Sequence, residues 1–223
     1  MNAAVKAERL VVALLGARDE FAVGRARLPL GAFALAVGAS GFVYGAFMGS
    51  YSLRPLQMLI SGLKVPMLLA VTTAVCIPSF IVINMVIGLR DDLTAALRGV
   101  LAAQGTVAIV LASLAPTILV AYGSTTSYRF ALNINGLPFA IAAFAGHRTL
   151  ALHYRPLIAR NRRHAVARAL WLVLYVFVAI QLAWVLRPFV GDPNLGTAFL
   201  RPNAWSNAYI EVLHDLGKLA RGR

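Results

Sequence analysis

The sequence predicts an all-α integral membrane protein with about five transmembrane helices and short amphipathic helices at the membrane interface. Three observations predict it. Of the 223 residues, 60% are hydrophobic and only 13% are charged, where a soluble domain of this size carries about 25% charged residues. The mean hydropathy is +0.75. The apolar residues also gather in runs long enough to cross a hydrocarbon core of about 30 Å at about 1.5 Å of helical rise per residue. Inside such a core every backbone group must bond within the protein, which makes helices the default.

Residues 1–27 read as a cytoplasmic amphipathic segment. Lys6 and Arg9 precede a short apolar stretch, which Arg18, Asp19 and Glu20 end at once. A signal peptide would show a longer apolar core and a small-residue cleavage site, so a helix lying on the membrane surface is the expectation. The bundle, residues 28–190, is predicted to contain spans at 28–48, 65–89, 100–122, 130–146 and 169–186. The connection 53–63 is too short to span and is expected on the outer surface, and 90–99 is a short polar link. In the external tail, 191–223, Trp205, Tyr209, Val212, Leu216 and Leu219 recur at helical spacing. They form one apolar stripe suited to the membrane interface or to a partner helix.

The fourth span is the weakest, since it contains Asn133, Asn135 and Pro138. Charge decides in its favour. The densest basic cluster follows it: Arg148, Arg155, Arg160, Arg162, Arg163 and Arg168. With five spans and the N-terminus inside, this cluster and the N-terminal cations all face the cytoplasm. Four spans would divide the cations evenly across the membrane. The excess of Lys and Arg on cytoplasmic loops therefore favours five spans and an external C-terminus, in a bacterial inner membrane. The same placement assigns the net charge of +13 to anionic headgroups, met by Arg155, Arg160, Arg162 and Arg163, and not to nucleic acid.

The first span carries the clearest local pattern. Ala34, Gly38, Gly41, Gly45 and Gly49 share one helical face, and small residues let another helix approach closely. The approaching helix belongs either to a second chain, giving a homo- or hetero-oligomer, or to this bundle. Pro78 and Pro116 lie deep enough to free a backbone carbonyl one turn earlier. Thr72, Thr73, Ser79, Asn84, Gln104, Thr106, Ser113, Asn133, Asn135 and Gln181 read as interhelical hydrogen-bonding groups. Of these, Asn84, Asn133 and Asn135, with Pro138, are the candidates for a polar path. No Asp, Glu, Lys or Arg falls well inside a predicted span, whereas proton relays and ion-coupled carriers carry such residues.

Enzyme and cofactor chemistry find no foothold. Gly38-Ala39-Ser40-Gly41 has the GxSG form of a rhomboid protease nucleophile, but the predicted topology puts Ser40 and His147 at different depths, beyond the reach a catalytic pair needs. The four histidines lack ligand spacing, and nucleotide-binding motifs are absent. Cys76 is the only cysteine, so it reads as a small buried apolar side chain. No catalytic residue, cofactor site or metal site is expected.

The run KVPMLLAVTTAVCIPSFIVINMVIGLR (64–90), followed by LASLAPTILVAYGSTTSYRFALNINGLPFAIAAFAGHR (111–148), resembles a group of bacterial polytopic inner-membrane proteins that are similar to the Yip-domain (Ypt-interacting protein) membrane family. That resemblance implies a five-span bundle. It implies no functional residue, and nothing in the N-terminal segment matches the small-GTPase contacts of the eukaryotic members. The expected function is a non-catalytic scaffold or accessory subunit of a membrane complex, acting through helix–helix contacts. The alternative is a small transporter or channel component for a neutral solute.

Overall fold

The computed structural model describes residues 30–125, 127–192, 196–201 and 210. The N-terminal segment 1–27 and the tail stripe of Trp205, Tyr209, Val212, Leu216 and Leu219 lie outside the described residues. Helix α1 is Leu30–Met48, and a 3-10 turn, Gly49–Ser52, leads into α2, Pro55–Val86. A second such turn, Arg90–Asp92, precedes α3, Leu93–Gly123. Then come α4, Tyr128–Ile134, α5, Gly136–Arg160, and α6, Arg163–Val185. Among the described residues there is no strand.

Among the described residues, four segments are long and apolar enough to cross a membrane: α1 with its following turn, α2, α3 with its preceding turn, and α6. The fourth predicted span does not join them. Residues 130–146 are divided between α4 and α5, and α5 runs on through Arg148, Arg155 and Arg160, which lowers its apolar character. The division is slight, because Asn135 keeps helical dihedrals (φ −65°, ψ −20°). Pro138 sits in the first turn of α5, where its missing N–H has no intrahelical role.

A second difference concerns residues 53–63. Residues 55–63 are not a separate segment but the first turns of α2, a 32-residue helix about 48 Å long. Pro55 stands at its first position, where its fixed φ suits a helix start. At the other end Gly88 adopts φ +80°. There its N–H bonds to the Met85 carbonyl, and the N–H of Leu89 reaches back to the Asn84 carbonyl at 2.8 Å. This is the reverse turn that glycine supplies past a helix end.

The helices pack in a definite order. Antiparallel α1 and α2 meet through glycine: a Cβ on Gly45 would lie 2.2 Å from the Ser61 carbonyl oxygen, and one on Gly41 would lie 3.1 Å from the Pro66 nitrogen. On its other flank α1 runs parallel to α3, with Phe33 against Ala102 near one end and Tyr44 and Met48 clustered with Ile118 near the other. α5 lies antiparallel on α3, where a Cβ on Gly146 would lie 3.2 Å from the Ala103 carbonyl oxygen and the Thr106 and Thr149 hydroxyls meet at 3.1 Å. α6 packs on α2 through the edge-to-face pair Phe80 and Trp171, with ring centroids 5.6 Å apart. α5 and α6 touch only lightly.

The contact at Gly45 gives the first prediction. Gly45→Ala inserts a methyl into backbone and lowers stability by about 1–3 kcal/mol or more, the usual cost of overpacking. Gly38→Ala, with open space around its Cα, leaves the melting temperature of the detergent-purified protein unchanged. Equal melting temperatures for the two variants would refute the assignment of this contact.

Candidate functional site

Because α5 is carried by α3 and α6 by α2, their facing flanks stand apart and enclose a cleft of about 790 Å³. Leu68, Leu69 and Thr72 of α2 and Ala103, Gln104 and Val107 of α3 form its floor. Phe139, Ala143 and Phe144 of α5 form one wall, and Tyr175, Val176 and Ala179 of α6 form the other. The cleft opens sideways: Phe144 and Val176 line it, yet they are 70% and 47% exposed. A volume of this size falls within the range of about 300–1,000 Å³ seen for small-molecule pockets.

Apart from Thr72, whose hydroxyl donates to the Leu68 carbonyl of its own helix at 2.7 Å, the polar groups of the floor gather in one cluster. The Tyr175 hydroxyl lies near the side chains of Thr73 and Gln104, and the Trp171 ring lies against Tyr175 with centroids 5.0 Å apart. Gln104 Oε1 and Trp171 Nε1 are buried and have no hydrogen-bond partner. One is an acceptor and the other a donor. Leaving such a group unsatisfied in a buried site costs about 1–3 kcal/mol.

At one end the cleft is bounded by Asn135, Trp184, Arg187 and Phe189. Asn135 is a junction: Tyr44 donates to its Oδ1 at 3.4 Å, and its Nδ2 donates to Tyr122 Oη at 2.8 Å and to the Ala131 carbonyl at 2.6 Å. Tyr122 passes the bond on to the Met48 carbonyl at 2.9 Å, so α1, α3 and α4 are tied together here. Two guanidiniums lie over the Trp184 indole, with Arg187 Cζ 3.4 Å and Arg201 Cζ 4.5 Å from its centroid. Beside this end the segment following α6 folds back onto α2. Gln57 and Ser61 donate to the Phe189 carbonyl at 3.2 and 2.5 Å, and Lys64 Nζ donates to the Pro188 carbonyl at 2.5 Å.

Lys64 corrects the expectation that no charged residue falls inside a span. It is wholly buried within α2, and its ammonium faces the rings of Phe199 at 5.2 Å and Phe189 at 5.8 Å. No carboxylate forms an ion pair with it among the described residues. Desolvating a cation costs several kcal/mol. The carbonyl and the two ring faces offset part of this, a cation–π contact being worth about 2 kcal/mol when desolvated. Reading a charge as a span boundary hid this residue. The signal that finds it is the polar stripe Gln57, Ser61, Lys64, at spacings of four and three on one helical face.

The other end of the bundle is ionic. Asp92 accepts from the exposed Arg160 and lies 3.1 Å from Nε2 of the fully buried His164, joining the start of α3 to α5 and α6. Arg163 Nη1 reaches the Ile87 carbonyl at 3.5 Å, while Arg155 and Arg162 are exposed. His153 bonds the Thr149 carbonyl at 2.9 Å.

The sequence-predicted candidates are not brought together. Asn84 is buried, donating to the Phe80 carbonyl, about 34 Å of helix away from the Ser61 end of α2. Asn135 belongs to that far end, and Asn133 is exposed. Of the proposed polar path only Asn135 lines the cleft; Pro138 is buried nearby in α5. Of the small-residue face, Gly41, Gly45 and Gly49 are covered by α2, a Cβ on Gly49 lying 2.8 Å from the Gln57 carbonyl oxygen. Gly38 meets nothing, and Ala34 is exposed. Sequence reasoning took Gln104 for interhelical glue and did not single out Trp171 or Tyr175.

No family model, curated protein or solved structure matches the chain.

Asn135→Leu removes the acceptor of Tyr44 and the donor to Tyr122. Stability falls by about 1–3 kcal/mol, measurable as a lower melting temperature, whereas the exposed Asn133→Leu shifts it little. A neutral Asn135→Leu would exclude the junction.

Proposed function

We propose that this chain is a non-catalytic multi-pass membrane protein, an accessory component whose working surface is the lateral cleft, and that the cleft receives an amphiphile from the bilayer. The single observation that carries the reading is the separation of α5 from α6 over a floor that pairs apolar side chains with two unsatisfied polar atoms. Four long apolar helices support residence in a membrane. The Asp92–Arg160–His164 end, beside exposed Arg155 and Arg162, then faces the cytoplasm of a bacterial inner membrane, and the Asn135 end faces outward. The similarity to Yip-domain proteins lends no residue to this reading.

The lining favours a lipid-like guest: the walls are apolar, and the cleft opens sideways past Phe144 and Val176. The small-residue face expected to join another chain is largely turned toward α2, so helix–helix contact with a partner would have to use other surfaces.

A transporter is the second reading. Lys64 favours it, because buried ionisable residues in membrane helices mark conduction paths.

Filling the cleft tests the leading reading. Ala179→Phe adds a ring to its wall, and native mass spectrometry of the nanodisc-extracted protein then shows a several-fold loss of retained lipid relative to wild type. Exposed Ala169→Phe serves as the control and retains lipid. Equal retention by wild type and Ala179→Phe would count against the cleft. Flux through proteoliposomes that is abolished by Lys64→Met would move the reading to transport.

A further inference from the structure

We propose that the guest is a long-chain lipid carrying an uncharged group that both donates and accepts a hydrogen bond, a hydroxyl or a secondary amide, and that this group seats on Gln104 and Trp171. The proposal rests on the cleft being a lipid site. Gln104 Oε1 and Trp171 Nε1 lie on side chains more than nine-tenths buried, both line the cleft, and neither atom has a protein partner. They flank the same phenol, since the Tyr175 hydroxyl lies near Gln104 and its ring is tilted against that of Trp171 with centroids 5.0 Å apart. Trp171 is further fixed by Phe80, so the two open valences are held in place before a guest arrives.

Their senses differ, and this selects the chemistry. A hydrocarbon would leave both unsatisfied. An ester or ether could accept from Trp171 but would give Gln104 nothing. A carboxylate or phosphate would set a charge against the Gln104 carbonyl oxygen, and no cation lines this part of the floor. A hydroxyl or a secondary amide satisfies both. The walls on either side, Val107 and Phe139 with Val176 and Ala179, suit the attached methylene chain.

The test uses the full chain in phosphatidylcholine nanodiscs, with Trp184→Phe and Trp205→Phe making Trp171 the only indole. Phosphatidylcholine brominated along its chains quenches Trp171 if a chain enters the cleft. 1-Hexadecanol and hexadecane then compete as displacing probes. The expected result is displacement by hexadecanol at a concentration about 10-fold below that for hexadecane, the scale of one or two neutral hydrogen bonds. Gln104→Leu should erase most of that preference. Equal potency of the two probes on the otherwise unsubstituted cleft overturns the proposal while leaving the lipid site intact. Absence of bromine quenching removes the lipid site itself, and the proposal with it. Because the comparison of probes needs no substitution on the cleft floor, it holds even where Gln104→Leu fails to fold.

Discussion

The close approach of α1 to α2 at Gly45 is the constraint on which the architecture depends. A glycine there lets α1 lie backbone to backbone on α2, while its other flank takes α3 through Phe33, Tyr44 and Met48. α1 thus joins two helices that meet each other only sparsely. Each then carries an outer helix, α6 on α2 and α5 on α3, and the outer pair touches only lightly. The cleft is the geometric remainder of that arrangement. In lipid no hydrophobic drive would close it, since a methylene chain is as good a neighbour as a leucine.

What separates this space from a packing fault is its chemistry. Polar groups are bonded in the Tyr44–Asn135–Tyr122–Met48 chain at one end and between Asp92, His164 and Arg160 at the other, while Ser52 Oγ, Asn84 Oδ1 and His164 Nδ1 stay buried without a partner away from the cleft lining. Gln104 and Trp171 differ from these in that both line the cleft and that their open valences are of opposite sense, one an acceptor and the other a donor. Lys64 illustrates the opposite solution. Its charge is buried, yet a carbonyl and two aromatic faces enclose it, and its effect is to pin the chain after α6 against α2.

Much of the fold was legible in the sequence because a bilayer demands long apolar helices, and composition reports that demand directly. α1, α3 and α6 begin or end within several residues of the predicted spans. α2 was harder. Lys64 marks a span edge under the rule that charges flank spans, and only its register with Gln57 and Ser61 shows that the helix continues through it. The weakness of the fourth span was visible in Asn133, Asn135 and Pro138, but the basic continuation of α5 through Arg160 was not, because Arg155 and Arg160 read as loop cations. The small-residue face was visible as a face, and its partner was not, since Gly45 carries no mark distinguishing an internal helix from a second chain. The cleft left least trace. Gln104, Trp171 and Tyr175 come from two helices far apart in the chain, and an amide that bonds a neighbouring helix has the same sequence as one that keeps a valence open.

The most direct test of a lipid-filled cleft is a nuclear Overhauser measurement in isotropic bicelles, reading through-space contacts from lipid methylene protons to labelled alanine methyls. The account predicts strong lipid contacts at Ala143 and Ala179, on the facing walls, and none at the fully buried Ala108 and Ala115. Direct contacts between the Ala143 and Ala179 methyls, without lipid signals at either, would mean that α5 and α6 close on each other in a bilayer, and that no site exists between them.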